Sequence, residues 1–330
     1  MKKTIVIKSV DDCIRIDKFL FKYLKNYTRT NIYKMIRKKD ITVNNQRIDF
    51  DYILRVNDKI TYYDFLRTDH KKKVPEFFKA KPELDLIYED ENLVIFEKPL
   101  GIPAQQTDEP SQYDHMQNRL VHYLVKSNQY DYLNNQAYLP SIVNRLDTYT
   151  TGIMLGAKNL KAQQALNQII KNRDLKKFYH CLVHGEINPK KATLTAYLTK
   201  DPNRSLVSIQ KEKTNDNKII ITRYQTLYYF KKQNYTLLDV ELITGRTHQI
   251  RAHLASINHP VVGDYKYAKK QYQNNQGNFK HQLLHSYKII FDLANYDQDF
   301  ILKYLDQNQY QTKSPAWFHS QLHPNPYEEK

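Results

Sequence analysis

A basic segment broken by prolines, residues 67–83, limits the fold most, because it separates a small N-terminal part from a large C-terminal part. It contains the run His-Lys-Lys-Lys-Val-Pro at 70–75 and a second proline, Pro82. Prolines and charge runs break helices and strands and are typical of linkers. The length of 330 residues also exceeds what one hydrophobic core usually supports. The sequence therefore predicts two domains, at 1–66 and 84–306, joined by the linker 67–83 and followed by a peripheral tail at 307–330.

The composition is that of a folded protein outside the membrane. Hydrophobic residues make up 41% of the chain and aromatic residues 12%, which is enough for a sizeable core. No apolar run approaches the roughly 18 residues of a membrane span, and the N-terminus becomes charged before a signal-length apolar region develops. We therefore expect a cytoplasmic protein with no membrane partner. The two cysteines, Cys13 and Cys181, have neither disulfide nor metal-ligand spacing, so we expect buried reduced thiols and no metal site.

Positive charge is concentrated at the N-terminal end. The net charge is +16, and residues 1–80 contain 20 Lys and Arg against 10 Asp and Glu, which places +10 in the first quarter. Clustered basic residues bind polyanions because each neutralised phosphate releases condensed counterions. The distribution favours a nucleic acid as the partner. A general proteome bias toward Lys, Asn and Tyr is the alternative explanation.

The pattern of the first domain predicts two short helices followed by strands. The first helix would bury one apolar face made of Ile16, Phe19, Leu20, Tyr23 and Leu24. A second helix is expected at 31–39, after a cap at Thr28 or Thr30. A strand at 41–43 and a turn at Asn44 and Asn45 follow.

These elements resemble an S4-type RNA-binding domain. The resemblance rests on Arg-Ile-Asp-Lys-Phe-Leu at 15–20, Thr-Arg-Thr at 28–30 and Ile-Arg-Lys-Lys-Asp-Ile-Thr-Val-Asn-Asn at 36–45. That family has glycine where Asp40 and Asn45 stand, and Asp and Asn tolerate a left-handed backbone. An ordinary basic helical hairpin is the alternative. The resemblance implies that RNA, and not DNA, is bound by basic residues in and just before the second helix, namely Arg29, Lys34, Arg37 and Lys38.

The second domain has the pattern of a largely antiparallel sheet decorated by helices. Residues 84–99 are typical of two strands joined by an acidic turn. Further strands are expected at 178–184, 219–230, 235–243 and 286–292, with helices at 118–125, 160–170 and 248–256. The predicted fold class is α+β: a small α/β domain followed by a mixed, mainly antiparallel sheet with flanking helices.

One run in the second domain has the form of a reactive site. Residues 144–152 read Asn-Arg-Leu-Asp-Thr-Tyr-Thr-Thr-Gly and lead into the apolar stretch Ile-Met-Leu at 153–155. The run places one carboxylate, Asp147, between a basic residue and a turn of small residues. Enzymes present reactive carboxylates in such settings. The alternative is a turn aspartate that satisfies backbone amides.

This run resembles the signature of the RluA-type pseudouridine synthases: His-Arg-Leu-Asp, two variable residues, then Thr-Ser-Gly. Asn144 and Thr151 replace the usual His and Ser, which indicates a subgroup, since both keep a hydrogen-bonding side chain. The resemblance covers most of 84–292. Other blocks follow in the family's order, at 98–101 (Lys-Pro-Leu-Gly), 177–179 (Lys-Phe-Tyr), 245–254 (Gly-Arg-Thr-His-Gln-Ile-Arg-Ala-His-Leu), 259–264 (His-Pro-Val-Val-Gly-Asp) and 284–286 (Leu-His-Ser).

The resemblance implies three catalytic residues. Asp147 is the carboxylate that attacks or stabilises the anomeric carbon, or serves as a base beside it, so adduct and elimination routes both stay open. Arg251 pairs with Asp147 and keeps it ionised and oriented. Tyr179 lies on the face of the target base, and its hydroxyl helps to remove the C5 proton.

Other polar residues of these blocks are implied to line the RNA-facing cleft, namely Arg145, His248 and Gln249. Each has a purely structural alternative: a salt bridge from Arg145 to a neighbouring strand, and a helix cap from His248 and Gln249. His253 and His285 are expected to be hydrogen-bonded histidines of the core.

The resemblance implies a cofactor-free isomerisation of uridine within RNA. The bond from ribose C1′ to N1 breaks, the uracil turns, and a bond from C1′ to C5 forms. The target must leave its stack, which costs on the order of a few kcal/mol and favours loops and bulges. Because family members with an S4-like domain act mostly on large-subunit ribosomal RNA, we expect 23S rRNA first and tRNA second, modified by a monomer. A non-catalytic ribosome-assembly factor and a nucleoside glycosidase are the alternatives.

Overall fold

The computed structural model describes residues 2–24, 27–63, 74–109, 112–133, 138–200, 206–273, 279–313 and residue 315. Part of the expected linker, at 67–73, and the tail beyond 315 lie outside the described residues. Within these residues the strands form two sheets, one of three strands and one of eleven.

The N-terminal domain combines a three-stranded antiparallel sheet with two helices. Its elements are β1 (Lys2–Val6), α1 (Ile16–Tyr23), α2 (Arg29–Arg37), β2 (Ile41–Val43) and β3 (Lys59–Tyr63). The sheet order is β1-β3-β2. The cap of α2 is Thr28, whose hydroxyl accepts a hydrogen bond from the Asn31 amide at 3.2 Å. The predicted helices and β2 are confirmed, whereas β1 was not predicted.

The end of α2 corrects one expectation about the backbone. Lys39, and not Asp40, adopts a left-handed conformation, with φ of +67°. The Lys39 amide donates to the Ile36 carbonyl and the Asp40 amide donates to the Met35 carbonyl, as in a Schellman motif. The motif needs its left-handed residue one position after the helix cap, which here is Lys39. The left-handed backbone expected at Asn45 is confirmed, with φ of +61°.

A single large sheet organises the rest of the chain. Its strands are β4 (Asp85–Glu89), β5 (Leu93–Lys98), β6 (Ser141–Ile142), β7 (Thr151–Ala157), β8 (Leu175–His184), β9 (Lys191–Lys200), β10 (Val207–Gln210), β11 (Lys218–Phe230), β12 (Tyr235–Leu242), β13 (Leu284–Phe291) and β14 (Gln309–Gln311). Nine of them follow the order β10-β9-β11-β12-β8-β13-β7-β5-β4, while β14 pairs with β13 and β6 with β7. Every pairing is antiparallel except that of β13 with β7, so the predicted mainly antiparallel sheet is confirmed.

Helices cover both faces of this sheet. They are α3 (Met116–Lys126), α4 (Leu160–Asn172), α5 (Gln249–Ser256) and the short α6 (Lys270–Gln273). The core shared with α3 and α5 contains Val94 and Phe96, whereas the core shared with α4 contains Leu93 and Ile95. Alternate residues of β5 therefore face opposite cores, which explains its continuous apolar sequence. None of the described helices is both long and apolar enough to span a bilayer.

Parts of the expected linker and of the expected peripheral tail contribute to the cores of the large domain. Within the expected linker, the 3-10 turn Glu76–Lys79 buries Phe77, whose ring centroid lies 5.7 Å from that of Tyr132. After residue 306, β14 brings Tyr310 to within 6.1 Å of the Phe291 ring. Burial of aromatic side chains outweighs the linker-like and tail-like composition around them.

The N-terminal domain contacts the large domain through Asp11 and Asp12. Lys161 at the start of α4 forms an ion pair with Asp12, with 2.6 Å between Nζ and Oδ2. Tyr138 packs into the N-terminal core. Asp11 is 3% exposed, and burial raises the pKa of its carboxyl to about 6. Cys181 is buried as expected, but Cys13 is only partly buried, and both thiols are free.

Candidate active site

A cavity of about 800 Å³ opens beside the turn that precedes β7. Five stretches of chain contribute to its lining, at 103–107, 143–149, 245–248, 263–266 and 280–282. They include Asp147, and the wall is completed by single residues of α4, β9, β12 and α5 and by two residues of β8, Lys177 and Tyr179. Several of the sequence blocks singled out above are thus brought to one place.

Hydrogen bonds define the turn that presents Asp147. The Thr150 amide donates to the Asp147 carbonyl at 3.0 Å. The side chain of Asn144 binds the backbone of β7: its Oδ1 accepts from the Leu155 amide at 2.8 Å and its Nδ2 donates to the Ile153 carbonyl at 3.2 Å. The amide of Asn144 therefore anchors the approach to the turn.

Lys98 anchors the same turn from inside the protein. Its side chain is completely buried, and Nζ donates to the carbonyls of Pro99, Ile102 and Thr148 at 2.9, 2.7 and 2.8 Å. The Gly101 amide donates to the same Thr148 carbonyl at 3.0 Å. Burial lowers the pKa of Lys98 to about 7, while the three carbonyls match the three protons of an ammonium group. The block at 98–101 thus positions the residue next to Asp147.

A close contact between β7 and β13 sets where the turn ends. Gly152 has φ of +110°, and a Cβ there would lie 2.1 Å from the carbonyl oxygen of Ser286. Gly152 stands opposite Ser286 in the parallel pairing, an approach that only glycine permits. The Thr151 hydroxyl and His285 Nδ1 are 2.7 Å apart, which adds a side-chain link between the two strands.

Arg251 joins two carboxylates at the cavity wall. Its Nη1 donates to Asp147 Oδ2 at 2.7 Å, while its Nε and Nη2 donate to the two oxygens of Asp264 at 2.7 and 2.9 Å. Both neighbouring carboxylates raise the pKa of Arg251 against the opposing effect of its burial. Asp264 is 1% exposed, whereas the side chain of Asp147 is 25% exposed. The buried carboxylate therefore orients the arginine, and the arginine orients the accessible carboxylate.

Tyr179 reaches the same cavity from β8. It is 5% exposed, and burial raises the pKa of its phenol to about 12, with the negative charge of Asp147 acting in the same direction. Ser286, which stands opposite Tyr179 on β13, lowers this pKa and opposes the effect of burial. A protonated phenol and a carboxylate held by a guanidinium thus face one cavity. Together they can act on an electron-poor carbon and on a proton near it.

The residues expected to line the cleft differ in their surroundings. Arg145 is exposed at the cavity, and among the described residues no carboxylate lies within 4 Å of its guanidinium. His248 lines the cavity with Nε2 3.9 Å from Asp147 Oδ2, and its Nδ1 lies 2.7 Å from the Tyr267 hydroxyl. Burial lowers the pKa of His248, with Asp147 opposing the shift.

Gln249 differs from the expectation. It is 2% exposed, its Oε1 accepts from the Thr244 hydroxyl and the Arg246 amide, and its Nε2 donates to the Ile221 carbonyl and the Thr222 hydroxyl. The side-chain amide of Gln249 forms these hydrogen bonds inside the protein because α5 begins at Gln249 and its first turn packs on β11. Gln249 therefore supports the loop before α5, whereas the neighbouring His248 lines the cavity.

The two histidines expected in the core are there. His253 is 2% exposed with Nδ1 3.0 Å from the Thr222 hydroxyl. His285 is fully buried and bridges Thr151 to Thr312, with Nε2 2.6 Å from the Thr312 hydroxyl. Burial lowers the pKa of each imidazole to about 4, so both are neutral structural groups.

The sequence analysis assigned no role to several residues of the site. Basic side chains around the cavity that it missed are Lys177, Lys200, Arg246, Lys266 and Lys280. Asp264 belongs to the sequence block at 259–264, but nothing in that block indicated contact with Arg251. The basic residues of α2 are exposed, and none of them is among the described residues that line the cavity.

Comparison with known proteins identifies two matching families. The profile of the RNA pseudouridylate synthase family matches residues 92–256, and that of the S4 domain matches residues 14–60. An RNA pseudouridine synthase of Mycoplasma genitalium is 32% identical, covering 92% of this chain and 94% of its own length. Ribosomal large subunit pseudouridine synthase C of Vibrio parahaemolyticus is 29% identical and covers 86% of both chains.

A solved structure shares the fold. Human RNA pseudouridylate synthase domain containing 4 matches with a TM-score of 0.57 at 19% identity, over 72% of this chain and 91% of the human chain. At this identity the likeness shows the fold alone.

Proposed function

The chain belongs to the RNA pseudouridylate synthase family, and on that premise we propose that it isomerises specific uridines of 23S ribosomal RNA with Asp147 as the catalytic carboxylate. The observation that carries the assignment of Asp147 is its 2.7 Å ion pair with Arg251 inside the cavity. Asp147 is the accessible member of a network whose other carboxylate, that of Asp264, is buried. A group held in this way is free to meet a substrate without leaving Arg251 unpaired.

In the proposed reaction the uridine leaves its stack and enters the cavity with C1′ near Asp147. The carboxylate acts at the sugar, as nucleophile on C1′ or as base beside it, while the bond from C1′ to N1 breaks. The uracil turns and C5 bonds to C1′, after which C5 loses its proton and N1 gains one. Arg251 keeps the carboxylate charged and aimed throughout.

Tyr179 takes part in the last step of the proposed reaction. Its ring is buried next to Asp147, and a pKa of about 12 keeps the phenol protonated at neutral pH. A protonated phenol can stack on the uracil, and its oxygen can accept the C5 proton while the phenol's own proton passes to solvent in the cavity. Phenylalanine would keep the stacking and lose the relay.

Two findings support ribosomal RNA as the substrate. Two relatives that cover 86% and 89% of the chain are named as ribosomal large subunit pseudouridine synthase C. The exposed basic residues of α2 belong to a region that matches the S4 domain, which suits a large structured RNA. Transfer RNA is the second candidate, and we propose that the enzyme works as a monomer.

The test follows tritium release from RNA that is labelled at uridine C5. Purified wild type and Asp147→Asn are mixed with 23S rRNA transcript and, separately, with tRNA from a strain that lacks the enzyme. We expect release from 23S rRNA by wild type, and a decrease of at least on the order of 100-fold for Asp147→Asn. Asp108→Asn is the matched control, because Asp108 is an exposed carboxylate near the cavity that contributes nothing to its lining.

Other outcomes would change the assignment. Release from tRNA alone would move the substrate, and equal release by Asp147→Asn would remove the catalytic role of Asp147. RNA binding without any release would favour a ribosome-assembly factor, and release from free uridine would favour a nucleoside enzyme.

A further inference from the structure

Tyr149 and His281 form an aromatic pair at the rim of the cavity. Their ring centroids are 3.7 Å apart and their planes differ by 5°, so each ring covers one face of the other. Tyr149 remains 40% exposed, which leaves its second face open to the cavity that both residues line. An exposed tyrosine backed by a second ring is a flat apolar surface with a hydroxyl at its edge.

The backbone beneath the pair is held in place. Gly263 has φ of +79°, and a Cβ there would lie 2.0 Å from the His281 carbonyl oxygen, so the two segments are in direct contact. Gln282 is 6% exposed, and its Nε2 lies 3.5 Å from the Thr150 hydroxyl. The surface is therefore organised before any ligand arrives, which lowers the entropic cost of binding.

The position of the pair relative to Asp147 matches the spacing of neighbouring nucleotides. Tyr149 is two residues from Asp147 in the turn closed by the Thr150 amide, so their Cα atoms lie within about 7 Å. That span suits one nucleotide step along an extended strand. Exposed cations that can meet phosphates line the same cavity, among them Arg145, Lys266 and Lys280.

We propose that the open face of Tyr149, backed by His281, is a stacking platform for the nucleobase next to the target uridine. This inference rests on the proposed function and deepens it, because it makes single-stranded RNA the form that the cavity accepts. A stacked flanking base would compensate for the stacking that the target loses when it leaves the helix. Stacking on aromatic rings tolerates any base, so the platform provides affinity and position without reading sequence.

The test uses full-length protein and two RNA nine-mers with one central uridine, which carry 2-aminopurine on its 5′ or its 3′ side. Stacking quenches the fluorescence of 2-aminopurine. We expect quenching in one of the two nine-mers with wild type and Tyr149→Phe, since both keep an aromatic ring. Tyr149→Ala and Tyr149→Leu should lose the quenching and bind about 5- to 150-fold more weakly.

Tyr149→Leu guards against a folding artefact, because leucine still packs on His281 but offers no aromatic face. Tyr228→Ala is the matched control, since Tyr228 is 52% exposed and stands outside the cavity lining. Unchanged quenching in Tyr149→Ala and Tyr149→Leu would overturn the platform. So would equal loss in Tyr149→Phe, or failure of wild type to bind either nine-mer at low salt.

The outcome is independent of the isomerase assay. If wild type releases no tritium but Tyr149 still governs the quenching, the platform stands and the proposed substrate fails. If wild type releases tritium but the quenching is the same in wild type and the Tyr149 variants, the proposed function stands and the platform fails.

Discussion

Arg251 holds the Asp147 carboxylate in a fixed position while it is itself held by Asp264. A guanidinium presents several donors in a rigid plane, so Arg251 binds Asp264 with two hydrogen bonds and still has Nη1 for Asp147. Lysine offers only a point charge and could not hold both carboxylates at fixed angles. The orientation of Asp147 therefore depends on Asp264, whose carboxylate is buried.

The phenol of Tyr179 gives a prediction at this scale. Tyr179→Phe should lower kcat for tritium release by on the order of 10²- to 10⁴-fold while RNA affinity changes little, because the ring remains and only the proton relay is lost. Since the pKa of Tyr179 is about 12, its ionisation should not affect the rate between pH 6 and about pH 9. The measurement is kcat against pH for both proteins.

Parallel curves, with Tyr179→Phe lower throughout, are the expected result. The opposite result would be a kcat that rises with pH in wild type but not in Tyr179→Phe. It would mean that tyrosinate acts at neutral pH, against our proposal. Tyr224→Phe, which changes another buried tyrosine on β11, is the matched control.

At the scale of elements, the junction of β7 and β13 determines where the Asp147 turn lies. The pairing of β7 with β13 is the one parallel pairing among the described strands. The two backbones approach closely there because Gly152 has no side chain. Next to them, β8 carries Tyr179 opposite Ser286 of β13. The relative position of Asp147 and Tyr179 is therefore transmitted through three neighbouring strands.

Replacing Gly152 tests this junction. Gly152→Ala should lower the free energy of unfolding by about 1–3 kcal/mol, because the new Cβ must displace the Ser286 backbone and the φ of +110° becomes strained. Tritium release should fall by more than the unfolded fraction explains. Urea unfolding and the activity of the folded fraction measure the two effects separately.

Gly245→Ala is the control for Gly152→Ala, since nothing lies within 4 Å of a Cβ at Gly245. Its stability should stay within about 0.5 kcal/mol of wild type. Equal stability of both variants would mean that the strands can separate without cost, and that the junction does not position the turn.

At the scale of the whole molecule, two basic surfaces are separated in the chain. One lies on α2 of the N-terminal domain, and the other surrounds the cavity of the large domain. The contact through Asp12 and Lys161 joins the two domains. We expect α2 to contribute affinity and the cavity to contribute the chemistry.

Neutralising α2 separates these tasks. The triple variant Lys34→Gln, Arg37→Gln, Lys38→Gln should bind 23S rRNA more weakly, and the slope of log K against log salt should decrease by about 2 to 3, because up to three phosphate contacts are lost. Its kcat at saturating RNA should match wild type. Filter binding at several salt concentrations and tritium release measure the two quantities.

A matched triple variant at exposed lysines of the large domain, Lys190→Gln, Lys191→Gln, Lys231→Gln, controls for the change in net charge. An equal change of slope in both variants would show that total charge matters and that α2 has no particular role. A lower kcat in the α2 variant would show that α2 also shapes the site.

Local patterns predicted the elements whose signals are local. The apolar face of α1, the Thr28 cap of α2 and the two strands around the acidic turn of β4 and β5 are all confirmed. β1 and β9 were missed: β1 is nearly all exposed, and few side chains of β9 are fully buried. Such strands depend on their neighbours more than on their own sequence.

The sequence by itself determined the family, the fold class and the residues to consider for catalysis, because the motif blocks are contiguous and keep their order. Only the tertiary structure decided how those blocks meet. Asp147 and Arg251 are 104 residues apart in sequence and 2.7 Å apart in space. Burial turned Gln249 inward, made Asp264 the partner of Arg251 and stacked Tyr149 on His281. These contacts follow from packing between distant segments, and no local pattern of residues encodes them.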